Sequence, residues 1–435
     1  MPNSQYLAQA QDSKVLPNLD ALTESSSSTL ESYERLERYS LVEDAEVWYP
    51  VLYEDQDFAR LEAFINRSLQ NEQTDEQASA YLGRLYHKLA EPPAHADKVY
   101  TEADNQQLSH ALTVLDAWIQ QFPDSHIPYL IRGTLLLNHG WQIRGESLAW
   151  RVPQEAWPQL YSFLEQSKAD LDIAAGLNPQ DPNVWSALLN ISKGLSLPES
   201  VWQTYFEQGI AANPYHIQLW GQKALLLMPQ WQGNKERVLA LARECQILSQ
   251  ADNKPLLALV TLSIHRSIDS HERGGHLSRP EIWREMQEIY SRIFSAYPNN
   301  PRMHWFYAYD AMQANQGEIA AEQLAIVGDR WTNGTPWRSI RQYNKARANV
   351  FYVLATMAYS EGDYQNAEQL AAQSAELRPT ALAYLLLTEI HGKHYQDGVQ
   401  ATYYAQRALA AFPSEEERQI AEETIFLAET ELMEW

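Results

Sequence analysis

Residues 349 to 413 read NVFYVLATMAYSEGDYQNAEQLAAQSAELRPTALAYLLLTEIHGKHYQDGVQATYYAQRALAAFP, two copies of one helix-turn-helix unit laid end to end. In the first copy Phe351, Leu354 and Ala355 share a helical face, the turn Glu361-Gly362-Asp363-Tyr364 follows, and Ala367, Ala371 and Ser374 mark a second helix that ends before Pro379. Leu385, Ala401, Ala405, Ala408 and Pro413 take the same places in the second copy, and the two prolines are 34 residues apart. Two antiparallel helices approach closely only where facing side chains are small, so Ala355 against Ala367 lets the pair close. Glu389 stands where the second copy should carry a small residue, and Gly398 where the first has Tyr364.

The spacing and the small-residue positions resemble the tetratricopeptide (TPR) repeat family. That resemblance implies an all-α chain, an α-solenoid of TPR-like helical hairpins with degenerate repeats and two loop insertions. It also implies a scaffold that captures a peptide or protein along its concave face.

Working outward, similar endings recur at Phe122-Pro123, Asn178-Pro179, Asn213-Pro214 and Tyr297-Pro298. Pro179 and Pro214 are 35 residues apart, whereas the gaps of 56 before and 84 after them point to insertions at 140 to 158 and 269 to 280. Trp305, Ala308, Tyr309 and Met312 pair with Ala321 and Leu324 as one more hairpin, and a closing helix follows Pro413. Upstream, Phe58, Leu61, Phe64, Ile65 and Leu69 form one apolar stripe, and Ala80, Leu82, Leu85 and Leu89 another. The domain reading is a disordered tail at 1 to 29, an acidic N-terminal helical cap at 30 to 104, helical repeats with a Trp/Arg insertion at 105 to 254, and TPR-like repeats at 255 to 435. The first 104 residues hold 20 Asp and Glu against 8 Lys and Arg, so the acidity is concentrated at the front.

A hydrophobic fraction of 45% with 14 Trp and 24 Tyr excludes global disorder. The formal net charge of -23 argues against nucleic acid and anionic membrane as partners, because both need clustered Lys and Arg. One cysteine, Cys245, excludes an internal disulfide and reads as a small core residue. With no apolar leader after Met1 and no membrane-spanning run, a cytoplasmic location is expected.

Two stretches are candidates for recognition. The first runs His139-Gly140-Trp141-Gln142-Ile143-Arg144-Gly145-Glu146, with Trp150 beyond it and Pro229-Gln230-Trp231-Gln232-Gly233 further on. Here residues 130 to 250 resemble an uncharacterised bacterial family of helical-repeat proteins, domain of unknown function 4034, in a Trp-x-x-Arg-Gly segment and a later Pro-x-Trp-x-Gly segment. The resemblance implies no activity, but it suggests a bacterial chain and one local arrangement of Trp141, Arg144, Gly145, Trp231 and Gly233. Arg144 stacked on indoles would fix a loop. Alternatively, Arg144 and Glu146 would form a recognition point walled by Trp141, Trp150 and Trp231.

The second candidate lies between Asp329 and Glu361, where Arg330, Arg338, Arg341, Lys345 and Arg347 occur with no acid. Thr335-Pro336 reads as a helix cap, which puts Arg338, Arg341 and Lys345 on one basic stripe beside an apolar stripe of Trp337, Ile340, Val350 and Leu354. The stripe either pairs internally or binds an acidic segment of a partner.

No catalytic motif is present, and no cofactor is implied. His271-Glu272-Arg273-Gly274-Gly275-His276 has its histidines five apart rather than four, with glycines between, so it reads as a solvated loop without a metal. Beside the scaffold stand two alternatives: an immunity-type protein neutralising a toxin, and an enzyme with a pocket at the Trp/Arg insertion.

Overall fold

The computed structural model describes residues 43–72, 76–91, 102–145, 149–231, 233–298, 300–331, 335–411 and 414–429. The expected tail at 1 to 29 lies outside them. The described residues form nineteen α-helices with short connecting turns and no strand, so the chain is all-α. The helices fall into two compact units. No described helix is long and apolar enough to cross a membrane.

The N-terminal unit holds α1 (Glu43–Tyr53), α2 (Phe58–Glu72), α3 (Glu76–Leu89), α4 (Glu102–Gln121), α5 (Ile127–Arg144), α6 (Ala156–Leu177), α7 (Pro182–Gly194), α8 (Glu199–Ala212), α9 (Ile217–Leu226), α10 (Lys235–Ala251), α11 (Leu259–Glu272) and α12 (Pro280–Ala296). Its hairpins are α5/α6 and α7/α8, with α7 laid against α9 and α9 against α11. The 35-residue spacing expected from the prolines is built into matching contacts. Trp185 donates its indole N–H to the carbonyl of Pro179 at 2.9 Å, and Trp220, 35 residues later, does the same to Pro214 at 2.7 Å. Each indole thus ties the first helix of a hairpin to the turn that precedes it. The side chains of Asp181 and His216, also in register, cap α7 and α9 by accepting from the backbone of Asn183 and Leu219.

Asp181 does more than cap. Its fully buried carboxylate also meets the Tyr86 hydroxyl at 2.9 Å and the His126 ring at 3.0 Å, while Asn183 bridges onward to His216 at 2.9 Å. Burial pushes the Asp181 carboxyl up, but the hydrogen bonds from His126 and Asn183 outweigh it and hold it below the usual carboxylate range. Burial pushes His216 down to about 4, so it is neutral at pH 7. Tyr86 belongs to α3, which lies across α5, α9 and the turn Pro255–Ala258, with Leu82, Leu85 and Leu89 fully buried. In this unit α3 therefore covers the first helices of successive hairpins, a face the sequence reading left open for a partner.

The C-terminal unit holds α13 (Pro301–Gln313), α14 (Gly317–Val327), α15 (Ile340–Ser360), α16 (Tyr364–Leu377), α17 (Ala381–Glu389), α18 (Gly398–Ala410) and the closing helix α19 (Glu415–Glu429). The hairpins α13/α14, α15/α16 and α17/α18 follow the order expected, each second helix packing on the first helix of the next hairpin. Ala355, Ala367, Ala371, Ala401, Ala405 and Ala408 are all fully buried, as the 34-residue period requires. The caps Asp363 and Asp397 share that spacing, accepting from Asn366 and Gln400. Ser374 closes its pair by donating to the carbonyl of Ala348 at 2.8 Å, as Ser167 does to Gly133 at 2.6 Å in the N-terminal unit. Glu389, out of place in a small-residue position, ends α17 and pairs with Lys393 at 2.7 Å across a π-helical turn, Ile390–His394.

Three local expectations need correction. The cap of α15 is Ser339, whose hydroxyl accepts from Gln342 N–H, and not Thr335, whose hydroxyl instead donates to the carbonyl of Trp337. The supposed insertion at 140 to 158 is partly helical, since α5 runs to Arg144 and α6 begins at Ala156. Residues 271 to 275 are exposed, but His276 is buried at 1% and the solvated-loop reading fails there. Positive φ at Arg273, Gly274 and Gly275 turns the chain back under α11, where the His276 N–H donates to Asp269 at 2.8 Å.

Candidate functional site

Both sequence candidates can be placed. In the Trp/Arg region, α5 ends with Trp141 and Arg144, α7 ends with Lys193 and Gly194, and a 3-10 turn carries Trp231. Trp141 and Trp231 meet edge to face, with ring centroids 6.0 Å apart. The cation between them is not Arg144. It is Lys193, whose ammonium lies 5.0 Å from the Trp141 ring and 5.5 Å from the Trp231 ring. Burial pushes the Lys193 ammonium down to about 8, and its compensation is the electron-rich face of two indoles, about 2 kcal/mol when desolvated.

Glycines let this arrangement close. A Cβ on Gly194 would sit 2.5 Å from Leu164, and one on Gly233 only 1.8 Å from the carbonyl oxygen of Leu227. Of the five residues the resemblance grouped, Trp141, Arg144, Gly145, Trp231 and Gly233, the structure sets Trp141 against Trp231 and packs Gly233 on Leu227, while Arg144 takes a different place. Its guanidinium lies 5.7 Å over Trp157 and donates to the carbonyl of Gly145. Trp150 walls nothing: it is 74% exposed, with Arg151 stacked 4.4 Å over it. Glu146 lies outside the described residues. Lys193 was missed because a lone lysine before a glycine has no motif spacing; only the fold brings it to the indoles.

His276, expected in a solvated loop, is instead brought to another histidine. His265 and His276, both buried, share a hydrogen bond of 3.0 Å, and His265 faces Glu285 at 3.3 Å. The hydrogen bond from His265, outweighing burial, holds the Glu285 carboxyl below the usual range. Among the described residues no group of three or more His, Cys, Asp or Glu is arranged to hold a metal ion. Cys245 is fully buried and its thiol is pushed up by burial, as a core residue should be.

The basic residues stand at the start of α15. Trp337 is buried at 6% between Tyr309 and Tyr343, and its carbonyl accepts from the Trp331 indole, so the approach to α15 is pinned. Arg338 precedes the helix and donates its backbone N–H to Gln342. Arg341 and Lys345 follow at i and i+4, and all three basic residues are exposed. Arg341 and Lys345 make no ion pair with a described residue. The companion apolar stripe is interrupted, because Ile340 is 45% exposed beside them.

No family model matches the chain, so the resemblance to domain of unknown function 4034 finds no support. No curated protein matches either. Among solved structures the chain is similar to one from the APC/C hetero-tetramer Cut9-Hcn1, at 13% identity and a TM-score of 0.26, covering 92% of this chain and 57% of that one. It is also similar to the P58(IPK) TPR domain, at 13% identity and a TM-score of 0.20, covering 76% of this chain and 95% of that one. Likeness at these scores carries no argument, so the reading of the chain as helical hairpins on a TPR-like 34-residue period rests on the buried alanines, caps and indole ties described above.

Proposed function

We propose that the chain is a non-catalytic helical-repeat scaffold that holds a protein or peptide, with an acidic segment of the partner seated on Arg338, Arg341 and Lys345 at the start of α15. The observation that carries this reading is the exposure of Arg341 and Lys345 without a carboxylate partner among the described residues, in a chain of net charge -23. Acid outnumbers base 56 to 33 over the whole chain, and in the acid-free stretch between Asp329 and Glu361 these two cations are left to solvent, where a partner's carboxylates can reach them. The surface of α5 and α9 is less suited to such a role, because α3 already covers it.

Affinity capture from the native cell tests the proposal with two baits, the wild-type chain and the triple variant Arg338→Ala, Arg341→Ala, Lys345→Ala. A partner that binds the first, falls away from the second at equal melting temperature, and is released by salt supports the reading. Equal recovery on both baits refutes it.

A further inference from the structure

The exposed surface of α15 does not stop at its basic end. Arg341, Lys345, Asn349, Val353, Met357 and Glu361 are spaced four residues apart and every one is exposed. Residues at that spacing are neighbours on a helix, so they form one continuous ridge. Its chemistry changes in order along its length: two cations, an amide, two apolar side chains and a carboxylate. Val353 and Met357 are 45% and 36% exposed, although core contacts lie within one turn of each. The helix is 21 residues long against 9 to 15 for the others in its unit, and the extra turns carry the cations.

At its far end the ridge borders a cleft of about 290 Å³ whose lining includes Glu318, Leu354, Met357, Glu361 and Leu370. The first turn of α14 brings Glu318 there, with Gly317 so near that a Cβ on it would touch Val353 at 3.4 Å. Neither Glu318 nor Glu361 makes an ion pair with a described residue. The lining sets the side chains of Leu354, Met357 and Leu370 beside the Asn366 amide and these two carboxylates, which suits a lysine or arginine whose stem packs on the apolar groups while its charge meets the acids.

We propose that α15 reads its partner by charge order: an extended segment lies along the ridge with acidic residues on Arg341 and Lys345, apolar ones on Val353 and Met357, and a lysine or arginine in the Glu318/Glu361 cleft. This rests on the reading of the basic stripe given above and adds polarity and length to it. Arg341 to Glu361 spans 20 residues of helix, about 30 Å along the axis, and the ridge, inclined about 26° and winding about 200° round α15, is about 33 Å long. An extended chain that follows this winding covers it in about ten residues. A wholly acidic tail would meet like charge at the cleft, so the ridge also excludes the simplest acidic partner.

Labelled synthetic peptides of about eleven residues test this on the full chain by fluorescence anisotropy. Each carries two glutamates at one end, leucine and phenylalanine in the middle and two arginines at the other, made in both chain directions, with scrambled peptides of the same composition as controls. One ordered peptide should bind at least tenfold more tightly than its scramble. Glu318→Lys with Glu361→Lys should remove that preference, and a peptide with its arginines changed to glutamates should recover it on the same variant. Glu318→Gln with Glu361→Gln, checked by circular dichroism, guards against a misfolded charge reversal and should give a smaller loss. If neither ordered peptide exceeds its scramble, the inference is overturned. If Arg341→Glu with Lys345→Glu abolishes binding while the cleft variants bind normally, charge order is wrong and the basic-stripe reading survives alone. If the cleft variants lose binding and the basic-end variant does not, both fall.

Discussion

At Gly233 a single methyl group decides whether the turn after α9 can form. A Cβ there would lie 1.8 Å from the Leu227 carbonyl oxygen, which is backbone and cannot swing away. Gly233→Ala should therefore cost about 2 kcal/mol or more by overpacking, read as a lower thermal midpoint, with Trp231 fluorescence shifting as the indole leaves Trp141. His216 gives a second residue-scale prediction, this one in pH. Burial lowers its pKa from 6.5 to about 4. The unfolded chain thus takes up a proton first, and stability that is full above pH 6.5 falls as pH drops towards 4, by about 3 kcal/mol over 2.5 units. Asp181, held below the usual carboxylate range, loses its contribution only at still lower pH. The melting temperature should fall across pH 6.5 to 4 in the wild type, and less in His216→Asn, which keeps an acceptor for the α9 cap. Little at this scale was legible from spacing: Trp141, Arg144, Gly145, Trp231 and Gly233 were grouped only through a resemblance that no family model supports. Lys193 was not legible at all, because an ammonium held by two indoles from other elements leaves no trace in its own neighbourhood of the sequence.

At the scale of elements the periods of 34 and 35 residues carried most of the information. Buried alanines at 355, 367, 371, 401, 405 and 408 are a direct consequence of helices that must approach closely, so sequence and packing state the same constraint. The start of α15 was misread because Thr335-Pro336 satisfies the local rules for a cap. Pinning of Trp337 by Tyr309, Tyr343 and Trp331 overrides them and delays the helix to Ser339. Because Arg341 and Lys345 form no ion pair among the described residues, the triple change of Arg338, Arg341 and Lys345 to Ala should move the melting temperature by no more than about 2 °C, consistent with exposed charges contributing about 0–1 kcal/mol per pair. Partner binding by the wild type should weaken as salt rises from about 0.05 to 0.5 M, and the variant should show a flatter dependence.

Across the whole molecule the placement of α3 departs furthest from what the sequence suggested. Its stripe of Leu82, Leu85 and Leu89 was readable as an apolar face, but an amphipathic period says only that a face is buried, not against what. The answer lies about 40 to 170 residues further along the chain, in α5, α9 and the turn Pro255–Ala258, and no local rule reaches that far. The Tyr86 hydroxyl, donated to the fully buried Asp181 carboxylate at 2.9 Å, is a polar contact that joins α3 to the cap of α7. Tyr86→Phe keeps the ring and its packing and removes one donor from a buried charge, which should cost about 1–3 kcal/mol. Hydrogen exchange resolves where that loss falls. If Asp181 links α3 to the caps of α7 and α9, amide protection should drop together in all three helices. Protection in α16 and α18, which belong to the other compact unit, should be unchanged. A drop confined to α3 would mean that the helix is held by its leucines alone, and that the buried network around Asp181 serves only the turn in which it sits.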